Sequence, residues 1–272
     1  MKFFPLESHC AFPRLDYFSR VIQSFRTSLL IICVTVLFAN LLPAADTGIN
    51  YLEPKILTGT IYSDASLKQV LFTFRRTATN SGSTINVLRE FNLPDGKLAA
   101  REQVVYEGSQ LKSFVLEELQ TGAKGVVKVE PAGGELKMNF NYTQGATKKN
   151  GSEKYFNEIL LSDMVGPFMA AHWDSIAKGD VVKCRLVSVS RAETVGFKFF
   201  KESDSTWHGK PVMMVTLQPS SIVIARFVDP LHFVVEKDSP HRVIQYTGRT
   251  TPSIRKNGKW DDLDAVTVFD WN

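Results

Sequence analysis

The chain has 272 residues, with 32 Lys and Arg against 28 Asp and Glu, a formal net charge of +4, 44% hydrophobic residues and three cysteines. That length can bury a sizeable core as one domain or two small ones. The near balance of charge excludes a strongly basic nucleic-acid tracker and a strongly acidic surface.

The first 45 residues differ from the rest. Ser28–Leu42 (SLLIICVTVLFANLL) carries no charge, Arg20 and Arg26 precede it, and Pro43-Ala44-Ala45 follows. A positive flank, a short apolar run and small residues at a cleavage point are the layout of a secretory signal. A membrane span needs about 20 apolar residues, and this run is shorter and interrupted by Thr35 and Asn40. Cleavage after Ala44 or Ala45 is the expectation, with an uncleaved N-terminal anchor as the alternative. Cys33 lies inside the apolar run, so the small-residue-then-Cys pattern of a lipidated exported protein is absent. The stretch ahead of the signal contains Glu7, Asp16 and several aromatics, unlike a short basic flank, and a true start downstream, for example at Val21, would account for it. Removing residues 1–45 takes away four basic and two acidic residues and leaves 28 against 26, a net of +2 for residues 46–272. Cys10 and Cys33 leave with the signal. A lone Cys184 means no internal disulfide, so residues 46–272 must rely on their core in an oxidising compartment. Cys184 alternates with Lys183 and Arg185 in a strand-like run, which reads as a buried or edge-strand thiol rather than a nucleophile.

After Thr58 the chain reads as consecutive strands. Val70–Arg75, Thr84–Phe91, Leu98–Tyr106, Lys112–Leu119, Gly125–Val129 and Leu136–Tyr142 are short, rich in β-branched or aromatic residues and bounded by turn residues. Leu93-Pro94-Asp95-Gly96-Lys97 and Pro131-Ala132-Gly133-Gly134 are hairpin connections, because Pro presets one φ and Gly accepts a positive one. Gln144–Ser152 is polar, small and basic and reads as an exposed loop. Lys154–Leu161 reads as a strand leading into a helix, with a helical start as the alternative.

Asp163–Ala177 (DMVGPFMAAHWDSIA) is expected to be the one helix of this region. Ser162 or Asp163 would cap its start, Pro167 falls in the tolerant first turn, and Lys178-Gly179 ends it. Met164, Val165, Phe168, Ala171 and Ile176 form its apolar stripe. Beyond it, Val181–Val189, Val195–Glu202, Pro211–Gln218, Ser221–Val228, Leu231–Glu236, Arg242–Gly248 and Ala265–Trp271 are seven further strand candidates. Val212–Val215 and Ile222–Ala225 are apolar on both faces, which implies burial from two sides or a lined cavity. Asp229-Pro230 and Asn257-Gly258 are turns. The fold class is therefore mainly β (α+β): a single curved antiparallel sheet, or a half-open β-barrel, covered by one central helix.

Catalytic constellations are weak. His172, His208, His232 and His241 are scattered, with no i, i+4 pair to hold a metal on one helical face. No G-x-S-x-G, G-x-G-x-x-G or P-loop occurs. Asp261-Asp262-Leu263-Asp264 offers three carboxylates for a hard cation, and a solvated turn is the plainer account. Asn141-Tyr142-Thr143 and Asn150-Gly151-Ser152 matter only in a host that glycosylates secreted proteins. The stronger signal is the Met and aromatic content at the helix–sheet junction: Met164, Phe168, Met169 and Trp173 on the helix, with Phe197 and Phe199 on one strand face. A curved sheet with a helix across its mouth can leave a cavity for an acyl chain or similar apolar ligand, or that junction is a filled core. Arg191, Glu193 and Arg226 pair with one another, or Arg226 meets an anionic head group.

The order of features, with Ser162-Asp163-Met164-Val165-Gly166-Pro167-Phe168, Arg191-Ala192-Glu193-Thr194-Val195-Gly196-Phe197, Asp229-Pro230-Leu231-His232-Phe233 and Tyr246-Thr247-Gly248-Arg249-Thr250, resembles a family of exported bacterial proteins. Its layout is similar to the lipoprotein-carrier superfamily of the Gram-negative periplasm. The resemblance implies a half-open β-barrel lidded by helices and spans about Tyr155 to Trp271, whereas lipoprotein transport itself does not follow from a shared fold. The resulting expectation is a periplasmic or secreted, non-enzymatic protein with no cofactor and no metal. It would hold a lipid-like or hydrophobic ligand against Met164, Phe168, Met169, Trp173, Phe197, Phe199 and Arg226, bind no nucleic acid, and touch the membrane only through its signal segment or transiently. The competing expectations are a cell-envelope interaction or assembly protein with a filled core, and a hydrolase or lyase built from loop His and Asp residues.

Overall fold

The computed structural model describes residues 48–271, so the expected export signal lies outside the described residues. Within them, fifteen strands form one curved, unclosed sheet. The first eight are β1 (Ile56–Tyr62), β2 (Val70–Ser81), β3 (Thr84–Asn92), β4 (Leu98–Glu107), β5 (Gln110–Glu118), β6 (Ala123–Ala132), β7 (Glu135–Gln144) and β8 (Thr147–Lys154). A two-residue β9 (Ile159–Leu160) leads into the helical segment. The remainder are β10 (Val182–Ser188), β11 (Glu193–Trp207), β12 (Lys210–Pro219), β13 (Leu231–Glu236), β14 (Val243–Lys256) and β15 (Lys259–Asp270).

The spatial order is β8-β7-β6-β5-β4-β3-β2-β1-β15-β14-β13-β12-β11-β10-β9. Two antiparallel meanders are therefore joined where the first strand of the described region pairs with the last, Thr58 to Tyr62 against Asp270 to Val266. Among the described residues, the only parallel pairing is the short one between β9 and β10. Alternation explains which face packs. Along β2, Phe72, Phe74, Arg76 and Ala78 are buried, while Thr73 and Arg75 between them are exposed. Ala78, Val87, Val104, Phe114, Val127 and Phe140 are successive cross-strand partners from β2 to β7. All six are buried and form one apolar row of the main core.

The two ends of the sheet meet at the turn Val189–Arg191 between β10 and β11. Glu153 of β8 accepts from the Thr194 backbone N–H at 3.0 Å and from its hydroxyl, and Lys149 donates to the Ser190 carbonyl at 2.8 Å. Gly151, opposite Phe140 at the end of the apolar row, lies so close that a Cβ would collide with the Ala192 carbonyl. On the opposite side the β14–β15 hairpin reaches β4, β5 and the turn after it: Thr251 donates to Glu102, the Ser253 backbone N–H to Glu118, and Gln120 Nε2 to the Ser253 carbonyl at 3.3 Å. A second, smaller core of Leu57, Ile61, Phe72, Phe74, Phe91 and Leu263 fills the space beneath that hairpin.

Several expectations are corrected. The helix is not one continuous Asp163–Ala177 rod. It is a 3-10 turn (Ser162–Met164) followed by α1 (Val165–Ala171) and α2 (Trp173–Lys178). The break falls at His172, whose ring lies 2.9 Å from the Phe168 carbonyl and stacks on the Phe168 ring at 4.1 Å. Neither Ser162 nor Asp163 caps the helix, because both side chains are bonded elsewhere, and Met169 rather than the exposed Ala171 completes the buried stripe. Ser221–Val228 is not a strand but an exposed connection with a 3-10 turn at Ile224–Arg226. Gln144–Ser152 is not a loop. It contains the tight turn into β8, an edge strand paired only to β7, which needs no apolar face. Lys154–Leu161 is the end of β8, a break and β9 rather than one strand.

Gly151→Ala is expected to force β8 away from the β10–β11 turn and lower stability by about 1–3 kcal/mol, the usual cost of overpacking. Thermal melts of the variant and parent check this, and equal midpoints would contradict the close approach.

Candidate functional site

The helical segment is tied to the sheet by a row of charged side chains whose position follows from strand parity. Arg76, Arg89 and Glu102 are direct cross-strand partners on β2, β3 and β4, on the same inward face as the apolar row two residues along. Two arginines placed side by side repel, and the helical segment supplies the missing anion. Asp163 Oδ1 accepts from Arg76 Nε at 2.7 Å, and its Oδ2 accepts from Arg76 Nη2 at 3.2 Å and from the Tyr106 hydroxyl at 2.9 Å. Arg89 Nε lies 3.8 Å from the same carboxylate and makes no hydrogen bond. Its Nη1 donates instead to Glu102 and Ser162, and the guanidinium sits 5.1 Å from the Phe74 ring centroid. Arg76 also donates to the carbonyls of Tyr51, at 2.6 Å, and Pro54. The cluster thus holds two cations and two anions, with Arg76 and Asp163 side chains only 4% and 2% exposed.

Burial, and then the neighbouring Asp163 charge, push the Tyr106 hydroxyl far above the usual phenol range. It therefore serves as a fixed neutral donor. Tyr51 stacks on it, ring centroids 4.4 Å apart, and burial raises its hydroxyl as well. Breaking one member of such a pair is costly, because the other charge is left buried and uncompensated.

Beyond this anchor the interface is apolar. Met164, Phe168, Met169 and Ile176 are each at most 3% exposed and belong to the same core cluster as Phe197 and Phe199 of β11. Phe168 stacks on Phe199 at 5.6 Å. Across the sheet from Phe199 the inward row continues through Leu217, and Val215 and Met213 extend it along β12. The start of α2 is pinned by a second aromatic contact: half-buried Trp173 stacks on His241, centroids 3.9 Å apart and planes 8° from parallel.

Of the residues predicted for ligand binding, the structure brings Met164, Phe168, Met169, Phe197 and Phe199 into one buried cluster and leaves Trp173 at its margin. Arg226 is not among them. It lies on the exposed turn after β12. Arg191 pairs with Glu193. Two open pockets lie elsewhere. One, of about 440 Å³, is lined by Ser63, Asp64, Asp229, His232, Thr247 and Asp264 among others. The other, of about 270 Å³, lies between the residues around Ile49 and the turns at Gly82 and Gly108. His232 lies 3.3 Å from Glu202, with Thr216 donating to the same carboxylate at 2.7 Å, on the face opposite Val215 and Leu217. The Thr216 hydrogen bond foremost holds that carboxyl below its usual range. Asp262 and Asp264 of β15 both accept from Arg249. Cys184 is buried, and desolvation pushes its thiol up to about 12, which keeps it protonated.

Sequence reasoning missed Arg76, Arg89, Glu102 and Tyr106. The signal was present: each shares strand parity with buried apolar neighbours, Phe74 and Ala78 in the case of Arg76.

A large curved β-sheet with a short helical segment on its inner face is the class of structure these observations define. No family model matches the chain, and no curated protein matches it. Among solved structures, the chain is similar to a domain described as an outer membrane lipoprotein-sorting protein from Vibrio parahaemolyticus. That likeness has 10% identity and a TM-score of 0.24, over 82% of this chain and 85% of that one. It is also similar to a porin-like protein from Bacteroides uniformis, at 8% identity and a TM-score of 0.21, over 79% of this chain and 95% of that one. Scores this low carry no functional argument.

Arg76→Met is expected to cost about 3–5 kcal/mol, because it leaves Asp163 buried without its main partner, whereas Arg76→Met combined with Asp163→Leu recovers most of that loss. Urea unfolding measures both, and an Arg76→Met variant within about 0.5 kcal/mol of the parent, the range of neutral surface changes, would contradict the anchor.

Proposed function

We infer that this is an exported, non-enzymatic protein that holds a lipid-like or other hydrophobic ligand against the inner face of its sheet, in the manner of a half-open barrel with a helical lid. The described form is then the closed state, in which the helical segment lies where the ligand would go. The observation that supports this reading most is the composition of the interior. Met138, Met164, Met169 and Met213, none more than 1% exposed, belong to one cluster with Phe168, Phe197 and Phe199. Methionine is flexible and polarizable, so a surface rich in it can repack around a guest of variable shape. A helix of two short pieces has little stability of its own. Its hold on the sheet depends on the Asp163 anchor and on burial of its apolar stripe, each fully buried side chain contributing about 1.5–3 kcal/mol. An acyl chain entering the same trough would replace the second of these contributions.

A specific observation favours a second reading. Phe168 packs on Phe199, and Met164, Phe168 and Met169 are each at most 3% exposed. If the junction stays filled, the protein is a cell-envelope interaction or assembly protein without a small-molecule ligand.

Titration of delipidated protein with a fluorescent fatty acid separates the two. The ligand reading predicts saturable binding, competed by unlabelled fatty acid and weakened about tenfold by Trp173→Ala, the scale of one lost aromatic contact, with a smaller effect on stability. No saturable binding, and no lipid retained in native mass spectrometry, would leave the filled-core reading.

A further inference from the structure

We propose that the turn between β12 and β13 is a membrane-contact surface that inserts apolar side chains into an anionic lipid bilayer. Among the described residues, the three most exposed large hydrophobic side chains all lie in this one turn: Phe227 at 83%, Ile222 at 79% and Val223 at 68%. Single exposed apolar residues are ordinary on a protein surface, but three within six positions form a patch that calls for a partner.

Two features commit that partner to a lipid surface. The first is the backbone. Ala225 donates to the Ser221 carbonyl at 2.9 Å, Phe227 to Ile224 at 2.9 Å and Val228 to Ile224 at 3.1 Å. The turn satisfies much of its own hydrogen bonding, as a segment entering a poorly hydrated region must. The second is charge. Arg226 lies inside the turn. Lys183, Arg185 and Lys198 share the outward face of β10 and β11 leading to it, through the pairings of Lys183 with Lys198, Lys198 with Gln218 and Arg185 with Gly196. Lys183, Lys198 and Arg226 make no ion pair among the described residues. The nearby acids are Asp229, which follows the turn, Glu158, whose carbonyl accepts from the Arg185 backbone N–H at 2.8 Å, Asp180, which precedes β10, and Glu153, which is engaged by Thr194. Apolar side chains flanked by cations are the composition of an interfacial anchor, in which burial of the apolar group and attraction to anionic headgroups add together. The exposed side chains of Ile222, Val223 and Phe227 are not part of the buried helix–sheet cluster, so this proposal stands whether or not that junction holds a ligand.

The test uses the full chain and phosphatidylcholine vesicles with or without phosphatidylglycerol. Ile222→Ser together with Phe227→Ser, both at exposed positions, is expected to reduce association in flotation assays about tenfold or more, from the loss of two buried apolar side chains. Lys183→Gln with Lys198→Gln should weaken the dependence on phosphatidylglycerol. Because the N-terminal apolar run is common to every variant, a local readout accompanies these: Phe227→Trp should gain an emission component that shifts to the blue on vesicles and is quenched by brominated lipid. Unchanged flotation of the double serine variant, or an added indole emission in Phe227→Trp that is indifferent to vesicles, would overturn the proposal. So would concentration-dependent self-association, without vesicles, that the double serine variant abolishes, since the occupant would then be a second copy of the chain.

Discussion

The organising constraint is electrostatic. Strand pairing places Arg76 and Arg89 side by side on the inner face of the sheet, where both are largely removed from solvent and each repels the other. Glu102 answers Arg89 from β4. The remaining positive charge draws Asp163, the residue at which the chain leaves the sheet and becomes helical. The location of the helical segment thus follows from a charge requirement in the sheet, and apolar packing of Met164, Phe168, Met169 and Ile176 sets its orientation once it is there. A neutral cluster of this kind adds less stability than an apolar one of equal volume, but any other placement of the helix would leave buried charge unpaired.

This explains what could be read from the residues and what could not. Most strands were legible, because β-branched and aromatic runs between Gly, Pro and Asn turns leave few alternatives, and the Leu231–Glu236 strand has the expected bounds. One curved sheet with one helical region also followed from counting such runs. The edge strand β8 was illegible, since a strand paired on one side and solvated on the other carries no apolar alternation. Ser221–Val228 was misleading for the opposite reason: its apolar residues were equated with burial, and Ile222 and Phe227 face outward. Asp163 was assigned the local role of a cap because its partner lies 87 residues away on β2, a distance at which sequence spacing is silent.

The site was legible in kind but not in state. Its Met and aromatic residues do converge, yet composition is the same for a filled junction and an emptied one. The anchor residues were legible in principle from parity, since a charged side chain at a buried alternate position in Phe72-Thr73-Phe74-Arg75-Arg76 requires an inward partner. Arg226 shows the reverse: its closeness in sequence to apolar residues did not bring it to the junction. Its surroundings instead connect it with the exposed turn and the cationic face beside it.

On the proposed reading the helical segment is a lid whose polar anchor and aromatic pin release without unfolding the sheet. Hydrogen exchange measured peptide by peptide tests this most directly. Amides of Val165–Lys178 should exchange through a local opening, well before those of β4, β5, β12 and β13, and Arg76→Met should speed that exchange selectively. If the segment exchanges only together with the core strands, in both the parent and the variant, it is a permanent part of the core and the lid does not open.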